Sequence, residues 1–391
     1  MGSDKFCGIS ELGNNLVLIK DMELMKKILI KDFDHFVDRR EFFTDAEISV
    51  KKMLPSLEGK IRRMMDYFNS VAKEWVASFT EKANASPDGS VSIEALKSVN
   101  QYTLDVIASA VFGFQAGTIK DPKSQFAKMA SRFSDLTRWQ LIKFVVTVQF
   151  PKIVNMLQMK IIDAEALAFF ERILDQGLKA RMSGAPQNEM TFSSCCSTSN
   201  AITFAAYALA VHQDVQDKLR NEVSKIVKED GSLDYDELST LVYLDMVICG
   251  YKEISNGGRL DRKCTRDYKK RVRAFFTKDS ILIIPVNAIH NDPQYYDNPD
   301  KFDPSIFSPD KKAQRNTYAY LPFGSGPRNC IGMRFALIET KAGVAHLVNS
   351  FRIEPTKKTP IPLTGYYAGF ALHPPKGLEL KLTPLKMSIK L

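Results

Sequence analysis

The 391-residue chain has no run of eighteen apolar residues, so it offers no candidate for a bilayer span. Its start, MGSDKFCGISELGNN, lacks the apolar core of a secretory signal. No internal repeat and no low-complexity tract occurs, which argues against a solenoid or an array. Cysteine is sparse: Cys7, Cys195, Cys196, Cys249, Cys264 and Cys330. Their spacings fit neither a zinc site nor a disulfide framework, so they read as separate thiols in a reducing compartment. No nucleic-acid motif is present, and the Lys and Arg residues are scattered, so no nucleic-acid partner is expected.

What is there is ordinary globular composition, 45% hydrophobic and 25% charged, enough for one large core or two domains. The net charge is +9. That is either a solvated basic surface or a basic face for an acidic partner or an anionic membrane surface.

Periodicity predicts a mainly helical chain with small β elements near both ends. NNLVLIKD reads as a short strand and MELMKKILI as helical. Helical spacing recurs over 60–82, over 90–113 with a Ser cap and a Gly stop, over 161–181 and over 200–228. SLDYDELSTLVYLDMVIC reads as a cap and one more helix. SILIIPVNAI is a β-branched strand candidate, and HNDPQYYDNPDKFDPSIFSPDKK a long irregular segment. A last helix is predicted over 332–349, with Phe335, Ile338, Ala342, Ala345 and Val348 on its apolar face. FRIEP and GLELKLTP read as strands.

The stretch FGSGPRNCIG, Phe323–Gly332, sits between these signals. Gly324, Gly326, Pro327 and Gly332 shape a tight loop, and Cys330 lies just before a helix start. Free N–H groups there favour a thiolate. Arg328 supplies a cation two residues earlier. Such a loop suits a flat anionic cofactor carrying a metal, or else simply a buried structural cysteine.

FGSGPRNCIG also matches FxxGxRxCxG at each fixed position, and so resembles the haem-binding signature of the cytochrome P450 family. DPQYYDNPDKFDP resembles the meander that precedes it. DFDHFVDRR, YLDMVIC, LDRKCTRDY and IPVNAIHNDP resemble the animal microsomal branch that oxidises xenobiotics. The resemblance implies a mainly α fold with small sheets, one domain over residues 1–391 and a haem loop at 323–332. It implies Cys330 as proximal thiolate, Arg328 and Arg262 at the haem propionates, and Phe323, Gly324 and Gly332 around the haem. It further implies insertion of one atom of O2 into small apolar substrates such as xenobiotics, steroids or fatty acids. Electrons would come from NADPH through cytochrome P450 reductase, at the endoplasmic reticulum membrane. The tip YYAGFALHPP, with Phe370 and Leu372, resembles a hairpin that lines the substrate pocket, or is a plain hairpin.

Four departures from the family pattern stand out. The membrane anchor and hinge do not precede the chain, which reads as N-terminally truncated. KKMLPSLEG runs directly into KIRRMMDYF, where the family carries a WxxxR helix. In SSCCSTSNAITFAAYALA, Cys196 stands at the acid of the oxygen-activating AGxETT pattern, with Ser197 at its Thr and Thr198 next. Their hydroxyls are the catalytic candidates, and Ser197 is alternatively a solvated helix cap. Finally, the ExxR pair is replaced by Gly250 and Glu253, and the meander Arg by Ile306. Losing all three members avoids a half-broken buried ion pair. One coding of Tyr251–Ser255, read a base later, spells Ile-Arg-Lys-Tyr-Pro, the usual continuation of ExxR. A local frameshift is therefore expected there, and a clean transcript read with GYKEIS in frame would contradict it. These losses leave a second reading, a non-catalytic relic of the family.

Overall fold

The computed structural model describes residues 5–11, 14–39, 61–134, 138–150, 154, 156, 163–181, 193–250, 258–270, 274–364, 366–368 and 371–385. The KKMLPSLEG junction and Glu253 lie outside the described residues.

In chain order the elements are β1 (Phe6–Glu11), β2 (Asn14–Ile19), α1 (Met22–Lys26), α2 (Ile61–Asn84), β3 (Val91–Glu94) and α3 (Ala95–Ile107). Then come α4 (Gln125–Ser134), α5 (Arg138–Gln149), α6 (Ala164–Arg181), α7 (Ser193–Val211), α8 (Gln213–Val223), α9 (Tyr235–Thr240) and α10 (Val242–Gly250). The C-terminal part holds β4 (Leu260–Lys263), β5 (Tyr268–Lys270), β6 (Ala274–Phe276), β7 (Ile281–Ile284), α11 (Val286–His290), α12 (Pro309–Gln314) and α13 (Met333–Ser350). Strands β8 (Phe351–Pro355), β9 (Tyr366–Ala368), β10 (Ala371–His373) and β11 (Glu379–Pro384) follow.

The expected mainly helical fold with small sheets is what forms, with some boundaries corrected. The predicted 90–113 helix starts late, because Val91–Glu94 pairs with β11 and is held extended. Glu94, not a serine, caps α3 by accepting from the Lys97 amide at 2.9 Å. The 200–228 stretch is two helices, α7 and α8, broken at His212. SLDYDELSTLVYLDMVIC is likewise two helices, α9 capped by Asp234, then α10. The irregular segment 290–312 contains a short 3-10 turn, Pro304–Phe307, and the start of α12.

The main core forms where α2, α3, α7 and α13 cross. The ring of Trp75 on α2 stacks on Tyr102 of α3 with centroids 4.9 Å apart, and its indole N–H donates to Ser98. Phe68 meets Phe335 of α13 edge-on at 5.2 Å. Burying an aromatic of this size contributes about 1.5–3 kcal/mol. Gly343 lets the crossing close. A Cβ there would stand 2.9 Å from Tyr102 and 3.1 Å from Ile202.

A second, smaller core lies under a four-stranded sheet of order β1-β2-β7-β4. The β2 and β7 strands run parallel, and the other two pairs are antiparallel. The sheet carries Arg262 and sits against the loop that holds Cys330.

Candidate functional site

The loop Phe323–Gly332 folds back on itself through its own amides. The Cys330 N–H donates to the Phe323 carbonyl at 2.8 Å, and the Asn329 N–H to Gly326 at 3.0 Å. Gly324 and Gly326 take φ of +73° and +79°. Gly326 also presses on the chain just after α1: a Cβ there would lie 2.0 Å from the Leu29 carbonyl oxygen. Ala at 326 is expected to cost about 1–3 kcal/mol, read as a lower urea midpoint at unchanged m. An unchanged midpoint would contradict this close approach. Gly332 is the N-terminal flank of α13 and brings no side-chain cap. Phe323 is half-buried, and Arg328 and Cys330 are exposed.

The helix-start N–H acts in the expected direction, but without a metal it is outweighed. Surrounding protein desolvates the Cys330 sulfur and pushes its pKa up. The Gly332 N–H and the Arg39 charge pull it down, and they do not win. One exposed helix start is a weak donor set against that desolvation.

Three guanidinium groups gather beside this loop. Lys263 donates its amide to Asp38 at 2.8 Å, which brings the segment before Arg39 alongside β4. Arg39 donates to the Arg328 carbonyl at 2.5 Å, and Arg328 to the Val37 carbonyl at 3.2 Å. Arg262, on β4, is only 1% exposed. Its Nη1 donates to the Asp261 carbonyl at 2.8 Å, while Nε and Nη2 have no partner. Burial, with the Arg39 and Arg328 charges adding to it, pushes its pKa down to about 10. Two unpartnered nitrogens on a buried cation, with two more cations nearby, call for an anion.

Ser197 and Thr198 lie elsewhere, on α7 where it packs against α13. Ser197 is half-buried, and the helix begins four residues earlier, at Ser193, so Ser197 is not its cap. Thr198 is buried, and its hydroxyl lies beside the carboxyl of Glu339 on α13. Neither Glu339 oxygen meets hydrogen-bond geometry with a partner, so Thr198 only tempers the effect of burial. The Glu339 pKa is pushed up to about 8. At neutral pH this acid is mostly protonated. One residue along α7 from its neighbour Ser199, Asn200 donates to the Leu372 carbonyl at 2.9 Å. That bond ties the β9–β10 hairpin to α7. Leu372 is buried, and Phe370 lies outside the described residues.

Gly250 and Ile306, two of the three positions where the family resemblance implies an ion pair, are packed apolar. A Cβ on Gly250 would stand 3.2 Å from both Phe302 and the Pro304 Cα. Ile306 is buried with Tyr296 and Phe307, against Met246, Cys249 and Tyr320.

Sequence reasoning missed Arg39 and Glu339. The quoted DFDHFVDRR holds Arg39, but only the fold brings it to β4. Glu339 was visible as an acid next to Ile338 on the apolar face of the last helix.

The chain matches the family profile described as "Cytochrome P450" over residues 4–183 and 185–381. It is 30% identical to "Cytochrome P450 6a2" of Drosophila melanogaster, across 92% of this chain and 82% of that protein. It is 28% identical to "Cytochrome P450 9e2" of Blattella germanica, across 97% and 85%. With "Probable cytochrome P450 9f2" of Drosophila melanogaster it is 29% identical over 449 aligned positions, covering 97% of this chain and 87% of that protein. As 97% of 391 residues is about 379, about 70 of those 449 positions face gaps inside this chain. The loop, the helical core and these matches agree: the chain belongs to the cytochrome P450 family.

Proposed function

We propose that this chain holds haem on Cys330 and inserts one oxygen atom from O2 into small apolar substrates, drawing electrons from NADPH through a reductase. By family it is a cytochrome P450 monooxygenase, an oxidoreductase. The observation that carries the proposal is Arg262, a buried guanidinium with two unpartnered N–H groups beside the cysteine loop. The residues fit haem: Arg262, with Arg328 and Arg39, matches the negative propionates, and Cys330 is the one thiol on this loop.

In this reading Cys330 would hold the metal as thiolate, so binding would release the thiol proton and strengthen as pH rises. Arg39 and the Gly332 N–H favour the charged sulfur. Phe323, Gly324 and Gly332 keep the loop tight beside it. A haem held there supplies O2 binding, with the thiolate pushing electron density that favours O–O cleavage. Ser197 and Thr198 would offer hydroxyls on α7 that hold or pass a proton.

Arg262→Met is expected to act in opposite directions. It removes a buried unpaired charge, so the haem-free chain gains about 1–4 kcal/mol in urea unfolding. It also removes an anion partner, so haem affinity falls about 10- to 100-fold. Loss of stability together with unchanged affinity would contradict the role given to Arg262.

An exposed apolar face on α5, formed by Trp139, Ile142 and Val145, suits a membrane surface, as does the net charge of +9. This supports a membrane surface as the site of action, which the family resemblance would place at the endoplasmic reticulum. Among the described residues no helix is long and apolar enough to cross a membrane.

A second reading is favoured by the internal gaps, namely a relic that holds haem weakly. Turnover under ¹⁸O2 with NADPH, reductase and a panel of apolar compounds separates the two. One labelled oxygen per product supports the monooxygenase. Haem uptake without labelled product supports the relic.

A further inference from the structure

The segment that leads into the cysteine loop is pinned at three successive residues. The Tyr296 hydroxyl donates to the Ala319 carbonyl at 2.7 Å. Tyr320 lies 4.7 Å from the Phe307 ring and 5.1 Å from His290. His290 Nε2 accepts the Leu321 N–H at 2.9 Å. Two residues further on, Phe323 receives the Cys330 amide.

One cation locks the two rings behind this segment. The Arg315 guanidinium carbon stands 4.6 Å from the Tyr296 ring and 4.8 Å from the Phe307 ring. Its Nη2 donates to the Ile306 carbonyl at 2.5 Å. A planar guanidinium suits such a site, since it lies against aromatic faces while its edge donates. This is the region where the sequence carries Gly250 and Ile306 in place of two members of an ion-pair network. Helix α10 and the Pro304–Phe307 turn lie close there, so a Cβ at 250 would be tighter than ordinary contact. Apolar contacts fill the positions of Gly250 and Ile306, and Arg315 donates to the Ile306 carbonyl beside them.

We propose that Arg315 is a positioning residue for the Cys330 loop, holding Tyr296 and Phe307 against residues 319–321 in place of the lost ion-pair network. The loop-ordering claim stands by itself. Only its consequence at the metal rests on the haem-thiolate reading.

The test is hydrogen exchange by mass spectrometry on the full chain, with and without haem, for the parent, Arg315→Ala, Arg315→Lys and Tyr296→Phe. Arg315→Ala is expected to speed exchange across 319–332 by about 5- to 30-fold while the core of α2 and α13 keeps its protection. Arg315→Lys should recover part of it, because charge is kept and the flat stack is not. Tyr296→Phe removes one hydroxyl and should loosen the same peptides by a smaller factor, which preserves the test if Arg315→Ala does not fold. In haem-loaded protein, Arg315→Ala should also move part of the ferrous–CO spectrum from the red-shifted to the unshifted band. Unchanged exchange at 319–332, or equal acceleration throughout α2 and α13, overturns the proposal. A parent chain without the red-shifted band contradicts the haem-thiolate reading alone, and the exchange data still decide the role of Arg315.

Discussion

Serine at position 330 is expected to abolish the red-shifted ferrous–CO band and to lower monooxygenase turnover by about 100-fold or more. Removing a residue that merely supports a metal ligand already costs about 10- to 100-fold, and Cys330 is proposed as the ligand itself. An alcohol is not deprotonated near neutral pH, so the substitution removes the anionic donor and leaves the loop nearly isosteric. The loop should survive, because its hydrogen bonds are made by backbone groups: Cys330 N–H to Phe323, Asn329 N–H to Gly326 and Gly324 N–H to Leu321. Far-UV circular dichroism and the urea midpoint should therefore match the parent, and only the metal-dependent readouts should fall. Equal turnover in Cys330→Ser would remove Cys330 from the chemistry.

Glutamine at position 339 is expected to raise stability at alkaline pH by up to about 5 kcal/mol. The sign follows from proton linkage. Burial raises the Glu339 pKa from an ordinary 4.5 to about 8. The folded state therefore binds this proton more tightly than the unfolded chain does. Stability from this group is fully present below pH 4.5 and declines as pH climbs to about 8. The slope is about 1.4 kcal/mol per pH unit, so the whole window is worth about 5 kcal/mol. Gln resembles the neutral acid and carries no such loss. His346 works in the opposite sense in a lower window. Burial first, and then the Lys73 charge, push its pKa down from 6.5 to about 4, so its penalty appears as pH falls through that range. It leaves the alkaline comparison clean. Urea midpoints at pH 5 and pH 8.5 test this: the parent and Glu339→Gln should converge at the lower pH and separate at the higher. Parallel curves would show that Glu339 titrates normally.

Much of the fold was legible because its signals are local. Phe335, Ile338, Ala342, Ala345 and Val348 mark one helical face, and all are buried in α13. Of the strand candidate 280–289, Ile281–Ile284 forms a strand, while Val286–His290 is helical. Boundaries failed where a distant partner intervened. Pairing with β11 pulled Val91–Glu94 out of a helix, and no pattern within 90–113 records that partner. The site was half legible. The ten residues of the cysteine loop carry their own backbone logic, with glycines at the positive φ positions. The electrostatics were not legible, because they depend on burial. The Gly332 N–H favours the Cys330 anion as its helix-start position implies, but the opposing desolvation shows only in the fold. Arg262 was read from resemblance, but its two unpartnered N–H groups follow only from its burial on β4. Arg39 reaches the same place across more than two hundred residues of chain.

The most direct measurement is the ferrous–CO spectrum of this chain, expressed with a haem precursor and then reduced. A strongly red-shifted Soret band, lost in Cys330→Ser, is the result expected if Cys330 ligates the iron. No haem uptake, or only the unshifted band, would contradict the haem-thiolate account and favour the relic.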